Sequence, residues 1–597
     1  MRTRKPTVQE DSLSLTATVN ILRYSFNHMG LRKSGLLVLA FVLMFSAIPS
    51  DQLQASTSQL NLSSQESQIV ALVNGTRAYG YDLELEKIAL NRSISGFSFR
   101  SSGSTGASAT AMWLKDQFEG FGLSTSLESF EFTNWNLLEQ PVLVVDEDGD
   151  VETTSDQILI DSFESTHYSW PTPEGGVFSD LVVLPLPDAS SRSEIGATPI
   201  NTTLWESIET LDRIVLIGRE VRLSSAWEQA YQQKLSSQPP LAVVYTWWYS
   251  WMSFAPPFMS SVGGRPTSSL GPYYWSLEVP CGLVNYYDGV LIRERETSAN
   301  VSAKVAVPSV IASGLHYNVV GRLQGSTNPD KFVIVSAHYD TVLNAGFVDN
   351  GAGTAGVLEL ARVFTQASRE GIYSSNYTIV FVAFAAEELG MVGAVNYVKQ
   401  HKAEMKDVVA VVNLDCIGSN DLHVAQTDPG PSFDLDELIL EAARDLGVAA
   451  TLTEPGGSDH EVFIDPHEAE GVFSFWWPGL SAGIGDASPV ASSTMLISYP
   501  IFYSDIWRRG EAGWIHTLYD NSTSTQSLSW LEADDLEAHV KVAALSVVRI
   551  SSSGQELIED SVFPWWIVGV AVAGVIAAVT VVYFVKFRKR SVEEVVP

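Results

Sequence analysis

The stretch "KFVIVSAHYDTVLNAGFVDNGAGTAGVLELARVF" (residues 331–364) joins a predicted strand to a predicted helix through a glycine-rich turn. The segment "KFVIVSAHYD" is an apolar run that ends in polar residues, as a buried strand does. The segment "TAGVLELARVF" spaces its apolar residues as a helix that packs on a core does. A continuous apolar strand followed by a helix indicates a largely parallel sheet that is covered by helices on both faces.

Two later apolar runs also end in acidic residues. The run "YTIVFVAFAAEEL" (377–389) ends in Glu387 and Glu388, and the run "DVVAVVNLDCIG" (407–418) leads to Asp415. We therefore predict an α/β fold with a mixed, largely parallel sheet sandwiched by helices. In such sheets ligands bind at the carboxyl ends of the strands, and these carboxylates fall at those ends.

The polar residues near these strand ends have the composition of a metal site. Two histidines and several carboxylates, without a thiolate, suit zinc or a similar divalent ion. Two adjacent buried glutamates are costly unless cations offset their charge. One carboxylate shared between two ions would make a two-metal site, with the ions about 3.5–4 Å apart. The candidate residues are His338, Asp340, Asp349, Glu387, Glu388, Asp415 and His516.

Each of these residues taken alone also has a structural interpretation. A single His at a strand end is commonly a hydrogen-bonded structural group, and Asp349 before Asn-Gly is typical of a turn or a helix cap. A Glu-Glu pair is ordinarily solvated. Their coincidence at one edge of the predicted sheet favours the metal site.

Length and composition describe a globular protein of several domains. Of the 597 residues, 45% are hydrophobic and 18% are charged, which is ample material for packed cores. The net charge of −33 argues against a nucleic-acid partner, because phosphate binding needs a concentrated basic face. Cys281 and Cys416 have neither the number nor the spacing of a disulfide framework or a zinc finger.

Two apolar segments predict export and membrane anchoring. Residues 1–55 form a signal-peptide region, because the run Leu36–Ile48 has the length of a signal-peptide core. After a linker (556–564), the run Trp565–Val585 is long enough to span a bilayer, and the basic tail 586–597 belongs on the cytoplasmic side. The main part of the chain is therefore predicted to be extracellular or lumenal. Sequons that suit an exported glycoprotein occur at Asn61, Asn74, Asn91, Asn201, Asn300, Asn376 and Asn521.

Between these segments the sequence changes character twice. Residues 56–135 read as helices with a strand, and residues 309–555 alternate strands with helices and contain the candidate site. Residues 136–308 are rich in short β-branched runs, proline, glycine and aromatic residues, which predicts a separate, mostly β domain. We therefore predict one domain in two parts, interrupted by an insert.

Six motifs of the chain are "SAHYD", "DNGAGTAGVLELAR", "FVAFAAEELGMVGA", "NLDCIG", "GGSDHEVF" and "IHTLYD". In order and spacing they resemble peptidase family M28, a family of co-catalytic zinc exopeptidases. The resemblance covers about residues 57–135 and 310–550 and implies the zinc exopeptidase fold. The segment 136–308 resembles the protease-associated (PA) domain that several members of the family carry as an insert.

The resemblance implies a role for each candidate residue. The resemblance implies that Asp340 orients the metal-bound imidazole of His338, as metal-bound histidines require. Tyr519 and Asp520 would support either the loop of His516 or the substrate, and a structural role is favoured. The implied roles are ligands of one zinc ion (His338, Asp415), ligands of a second (Glu388, His516), a ligand of both (Asp349), the general base (Glu387) and the orienting partner of His338 (Asp340).

The predicted function is that of a membrane-anchored, extracytoplasmic di-zinc aminopeptidase acting on peptides. A carboxypeptidase or dipeptidase on the same site remains an alternative, because an Arg or Lys could hold the substrate carboxylate, and Arg508 and Arg509 are the nearest candidates. A catalytically silent receptor or scaffold would be expected to have lost ligands or the base. A glutaminyl cyclase is disfavoured, since that chemistry uses one zinc ion.

Overall fold

A computed structural model describes most of the chain between residues 62 and 552, all within one compact unit, Leu62–Pro597. The predicted signal-peptide region (1–55) and the predicted membrane span (565–585) lie outside the described residues. Among the helices that are described, none is long and apolar enough to cross a membrane. The described ranges are 62–146, 157–166, 169–190, 194, 203–223, 225–250, 279–298, 301–419, 422–425, 433–453, 457–466, 469, 484, 492–497, 515–523 and 531–552.

Helices and strands alternate through the described residues. The helices are α1 (Ser64–Leu72), α2 (Gly75–Leu90), α3 (Arg92–Ser95), α4 (Thr105–Phe121), α5 (Thr203–Glu206), α6 (Ser225–Ser237), α7 (Tyr286–Ser298), α8 (Gly353–Arg369), α9 (Val392–Gln400), α10 (Phe433–Leu446), α11 (Glu461–Ile464) and α12 (Ala533–Ser552). The strands are β1 (Ser124–Leu137), β2 (Val142–Asp146), β3 (Gln157–Leu159), β4 (Glu164–Ser165), β5 (Val177–Leu184), β6 (Ile214–Gly218), β7 (Ala242–Thr246), β8 (Cys281–Leu283), β9 (Ser302–Ala306), β10 (Ser309–Leu323), β11 (Asn328–His338), β12 (Tyr377–Phe384), β13 (Val408–Leu414), β14 (Leu422–Ala425), β15 (Ala450–Thr453) and β16 (Ser493–Ile497).

The first sheet has eight strands in the order β1-β10-β12-β11-β13-β16-β14-β15. Its four central strands, β12, β11, β13 and β16, are parallel. The strand β10 pairs antiparallel with both β1 and β12, and β14 pairs antiparallel with β16. The prediction of a mixed, largely parallel sheet is therefore confirmed.

Helices cover both faces of this sheet, as two phenylalanines of β12 show. The ring of Phe381 contacts Phe118 of α4 and Phe364 of α8. The ring of Phe384 contacts Tyr397 of α9 and Phe463 of α11. Residues three apart in a strand point to opposite faces, so α4 and α8 lie on one face and α9 and α11 on the other.

The segment 136–308 forms a second sheet of eight strands in the order β3-β2-β9-β5-β6-β7-β8-β4. The strands β5, β6, β7 and β8 are parallel, and the remaining pairs are antiparallel. The sequence predicts a mostly β insert with a helix at "SSAWEQAYQQKL" (224–235); the structure gives the insert a sheet of its own, confirms that helix as α6, and places α7 where the run "GLVNYYDGVLI" (282–292) reads as a strand. The insert is therefore itself an α/β arrangement.

The insert leaves and rejoins the first sheet at neighbouring positions. Leu137, the last residue of β1, is paired with Ser309, the first residue of β10. Close by, Trp135 is fully buried and its indole N–H donates to the carbonyl oxygen of Ser169, 2.7 Å away. The second sheet is thus attached to the end of the long antiparallel pair formed by β1 and β10 of the first sheet.

The start of α8 shows how the first sheet positions a site. A Cβ atom at Gly353 would lie 2.3 Å from the carbonyl oxygen of Leu414, the last residue of β13. Only glycine fits this close approach. The turn before α8, which contains Asp349, is therefore drawn onto the carboxyl end of β13.

Candidate metal centre

The residues predicted from strand ends meet at the carboxyl edge of the parallel strands. His338 is the last residue of β11, and only 1% of it is exposed. Its Nε2 atom lies 3.3 Å from Oδ1 of Asp349 and 3.6 Å from Oδ1 of Asp415. The neighbouring strand β12 brings Glu387, whose Oε2 lies 4.0 Å from the same nitrogen. One imidazole therefore faces three carboxylates from three segments of the chain.

The carboxylate of Asp349 lies between the two histidines. Its Oδ1 faces His338, and its Oδ2 is 3.1 Å from Nε2 of His516. The same His516 nitrogen lies 3.1 Å from Oε2 of Glu388. Asp349 thus offers one oxygen to each side of the site, which is the arrangement of a carboxylate that bridges two ions.

Two groups of three side chains have the geometry of cation sites. One consists of His338, Asp349 and Asp415, and the other of Asp349, Glu388 and His516. Within each group the ligand atoms lie within 4.8 Å of one another. The structure therefore brings together all five residues predicted as ligands, in the two sets that were predicted; their roles as ligands stay predictions.

The charges and orphaned oxygens of the site fit a bound cation. Among the residues that the structure describes, only the two histidines form ion pairs with the carboxylates of Asp349, Glu388 and Asp415. Oε1 of Glu388 and Oδ1 of Asp415 are buried and accept no hydrogen bond from described residues. Buried carboxylate oxygens need such a partner, and His and carboxylate donors are those that zinc accepts.

The pKa values of the site record the same excess of negative charge. Burial alone would lower the pKa of His338, but Asp415, Asp340 and Asp349 raise it well above its ordinary value. Burial also opposes protonation of His516, and Glu388 and Asp349 again raise its pKa well above the ordinary value. Both imidazoles are thus surrounded by carboxylates that favour a positive charge at their position.

Burial raises the pKa of Glu387 well above its usual range, and the nearby carboxylates of Glu388 and Asp459 raise it further. Glu387 belongs to neither group of three candidate ligands. Its backbone N–H donates to Oδ1 of Asp340, 3.0 Å away. It is thus a partly buried carboxylate at the edge of the candidate cation site that belongs to neither group of ligands, which suits a general base.

Asp340 connects the candidate base with the candidate ligand His338. Nδ1 of His338 lies 3.1 Å from the Asp340 carbonyl oxygen and 3.6 Å from its Oδ1 atom. The hydroxyl of Ser102 donates to the other carboxylate oxygen at 2.7 Å. The predicted orienting contact to His338 is therefore closer through the backbone carbonyl, while the carboxylate holds the backbone of Glu387.

A chain of hydrogen bonds behind Asp415 was not predicted from the sequence. The hydroxyl of Ser458 donates to Oδ2 of Asp415 at 2.7 Å and accepts from Nδ2 of Asn413 at 2.9 Å. Ser336 of β11 in turn donates to Oδ1 of Asn413 at 2.8 Å. Ser458 lies in the quoted motif "GGSDHEVF", which was the available signal, but the sequence alone does not show which carboxylate it contacts.

The substitution Ser458→Ala is expected to weaken zinc binding by about 10–100-fold, the usual cost of losing a group that orients a ligand. The hydroxyl is the donor to Asp415 Oδ2, so its loss frees the carboxylate to rotate. Competition with a chromophoric chelator measures the change. Ser93→Ala on the exposed α3 is the control, and equal affinities in the two variants would contradict the prediction.

Three non-glycine residues at the site have left-handed backbone. They are Ala386 before the Glu pair (φ 61°), Cys416 after Asp415 (φ 52°) and His516 itself (φ 56°). Such residues cost about 1–3 kcal/mol each and cluster at functional sites, where the surrounding fold holds them in place. The chain therefore turns sharply next to the predicted ligands on three separate segments.

Fold and site together define a largely buried, histidine- and carboxylate-lined candidate cation centre on an α/β sheet, and comparison with known proteins shows which family this part of the chain resembles. Residues 318–529 match Peptidase family M28. This part of the chain is therefore similar to peptidase family M28, a family of zinc metallopeptidases.

Curated relatives cover parts of the chain. A glutamate carboxypeptidase 2 homolog from Caenorhabditis elegans is 26% identical over 313 residues, which is 51% of this chain and 37% of the relative. Aminopeptidase YwaD from Bacillus subtilis is 37% identical over 162 residues, which is 26% of this chain and 33% of the relative. The chain thus spans only about a third of the length of these relatives.

Solved structures share the fold over most of the chain. A zinc aminopeptidase from Bacillus subtilis matches with a TM-score of 0.52 at 20% identity, covering 80% of this chain and 94% of that one. A peptidase M28 precursor from Shewanella amazonensis matches with a TM-score of 0.54 at 16% identity, covering 81% and 96%. At this level of identity the similarity concerns the fold alone.

Proposed function

We propose that the protein is a di-zinc aminopeptidase. The observation that carries this proposal is the position of Asp349, whose two carboxylate oxygens face different histidines and which belongs to both groups of candidate ligands. A shared carboxylate is what a two-ion site requires. His338 and Asp415 would hold one zinc ion, and Glu388 and His516 the other.

Zinc bound at this position would lower the pKa of a water molecule and polarise a peptide carbonyl. The chain's own contribution to hydrolysis is proton transfer. Glu387 accepts a proton from the attacking water and returns it to the nitrogen of the amine that leaves when the peptide C–N bond breaks. The products are a carboxylate and a free amine, and Glu387 ends in the protonation state in which it began. The hydrogen bond from its backbone N–H to Asp340 fixes where this proton transfer takes place.

A carboxypeptidase is the second candidate, because a glutamate carboxypeptidase 2 homolog aligns with 51% of the chain. Such an enzyme needs a cationic side chain for the substrate's terminal carboxylate. The candidates named from the sequence, Arg508 and Arg509, lie outside the described residues. An aminopeptidase is favoured because aminopeptidase YwaD aligns at 37% identity over 162 residues, whereas the glutamate carboxypeptidase 2 homolog aligns at 26%.

The two candidates differ in the end of the peptide that must be unblocked. We expect the full-length, zinc-loaded protein to release the first residue of unblocked and C-terminally amidated peptides and to leave N-acetylated peptides intact. Mass spectrometry of the products over time measures this. Cleavage of acetylated but not amidated peptides would support the carboxypeptidase and overturn the aminopeptidase.

The cellular setting is a further part of the proposal. The apolar run 565–585 with the basic residues after it supports a single C-terminal anchor, which would place the catalytic domain outside the cell or in a lumen. The sheet of residues 136–308 supports a PA-like insert through its own core and its attachment at Leu137 and Ser309. Peptides are the proposed substrates.

A further inference from the structure

Arg100 makes three hydrogen bonds to the segment that joins two candidate ligands. Its side chain is fully buried. Nε donates to the carbonyl oxygen of Tyr339 at 2.8 Å, Nη1 to that of Ala345 at 2.7 Å and Nη2 to that of Gly346 at 2.7 Å. Tyr339 directly follows His338, and Gly346 is three residues before Asp349. A single guanidinium thus connects both ends of this segment.

The close approach of the segment to Arg100 depends on Gly346. This residue has a φ of 61°, a conformation that glycine adopts without strain. A Cβ atom there would lie 2.1 Å from Cγ2 of Thr341 and 3.1 Å from Nη2 of Arg100. The turn is therefore packed against the guanidinium with no room for a side chain at position 346. The backbone conformation of the turn thus depends on the position of Arg100.

The opposite side of the same turn is held by Asp520. Its Oδ1 accepts from the N–H of Val348 at 2.7 Å, and its Oδ2 accepts from the N–H of Asp349 at 3.2 Å. Asp520 lies four residues after His516. Arg100 thus donates hydrogen bonds to carbonyl groups of the turn, and Asp520 accepts hydrogen bonds from its N–H groups. Together these contacts fix the position of Asp349 relative to both histidines.

Arg100 also balances buried negative charge near the site. The carboxylates of Asp82, Asp520 and Asp340 all attract its guanidinium. Asp82 is fully buried, and among the described residues neither of its oxygens accepts a hydrogen bond. Arginine keeps its charge even when buried. Removing it would leave these carboxylates without their cation as well as freeing the turn.

We infer that Arg100 is a positioning residue for the metal centre, acting through the backbone that carries His338 and Asp349. The inference rests on the proposed metal site. Arg100 lies outside residues 318–529, the part of the chain that matches the peptidase family. A residue from the segment before the insert (56–135) therefore supports a candidate metal centre whose ligands all lie after the insert (136–308).

The test compares zinc affinity in full-length Arg100→Met and Arg100→Lys with the wild type, by competition with a chromophoric chelator well below the unfolding temperature. We expect Arg100→Met to bind zinc about 10–100-fold more weakly. The zinc affinity of Arg100→Lys is expected to lie between those of the wild type and Arg100→Met, because a lysine keeps the charge but cannot reproduce the planar fork of the guanidinium. If Arg100→Met does not fold, the affinity of Arg100→Lys decides.

Arg549→Met is the matched control. Arg549 pairs with Glu66 at 2.9 Å and with Asp445 at 2.5 Å, and it makes no contact with the turn. It is expected to lower the midpoint of thermal unfolding while zinc affinity stays at the wild-type value. Wild-type zinc affinity in both Arg100 variants would overturn the inference. Absence of zinc binding by the wild type would instead overturn the proposed function.

Discussion

Replacing Glu387 by glutamine is expected to lower kcat by about 10²–10⁴-fold, the usual contribution of a general acid–base group, and to leave zinc content unchanged. Glutamine has nearly the same shape but cannot accept the proton of the attacking water. Glu387 lies outside both groups of candidate ligands. Its backbone hydrogen bond to Asp340 does not depend on the side chain, so the local structure should persist.

Peptide turnover and metal analysis on the same preparation separate the possible roles of Glu387. Glu370→Gln is the control, because this exposed glutamate at the end of α8 contacts only Gln366 among the described side chains. Turnover by Glu387→Gln equal to that of the control would exclude Glu387 as the base. Loss of zinc from Glu387→Gln would instead make it a ligand.

Replacing Asp349 by alanine is expected to remove both zinc ions and to abolish activity. Each of its oxygens faces a different histidine at 3.3 and 3.1 Å, so its loss breaks both groups of ligands at once. The remaining carboxylates of the site would then lie close together without a cation to offset their repulsion, which lowers the stability of the site further. Metal content after dialysis, measured by atomic emission, tests this expectation.

Asp415→Ala and Glu388→Ala are the matched comparisons, because each belongs to one group of ligands only. Each is expected to lose about one ion of two. If Asp349→Ala keeps as much zinc as these variants, Asp349 does not bridge two ions. Circular dichroism confirms that all three variants are folded before their metal content is compared.

The sequence predicts well which of the candidate residues lie together, because the positions of two of them follow from simple rules. His338 and Asp415 end apolar runs, and the carboxyl ends of parallel strands meet at one edge. The supporting residues do not follow such rules. Ser458 and Arg100 lie in loops, and their partners at Asp415 and at the turn before α8 are far away in the sequence. Only the folded chain shows these pairs.

The insert illustrates a second limit of the sequence. Its short β-branched runs correctly predict strands such as β6 and β7, and the helix α6 belongs to the crossover connection that this parallel pair needs. The run "GLVNYYDGVLI" (282–292), however, reads as a strand, and most of it lies in α7. Amphipathic spacing is weak in α7, where "YYDGVLIRERETS" mixes polar and apolar residues on every face. A helix that packs on a sheet through only a few residues shows little regular spacing of apolar residues in its sequence.

The pairing of Leu137 with Ser309 makes the entire second sheet equivalent to the loop of a β-hairpin. Lengthening a hairpin loop costs little, since each doubling adds only about 0.6 kcal/mol of closure entropy, and the second sheet stabilises itself through its own packed face. An ancestral chain could therefore have gained, lost or exchanged this cassette without moving a single metal ligand.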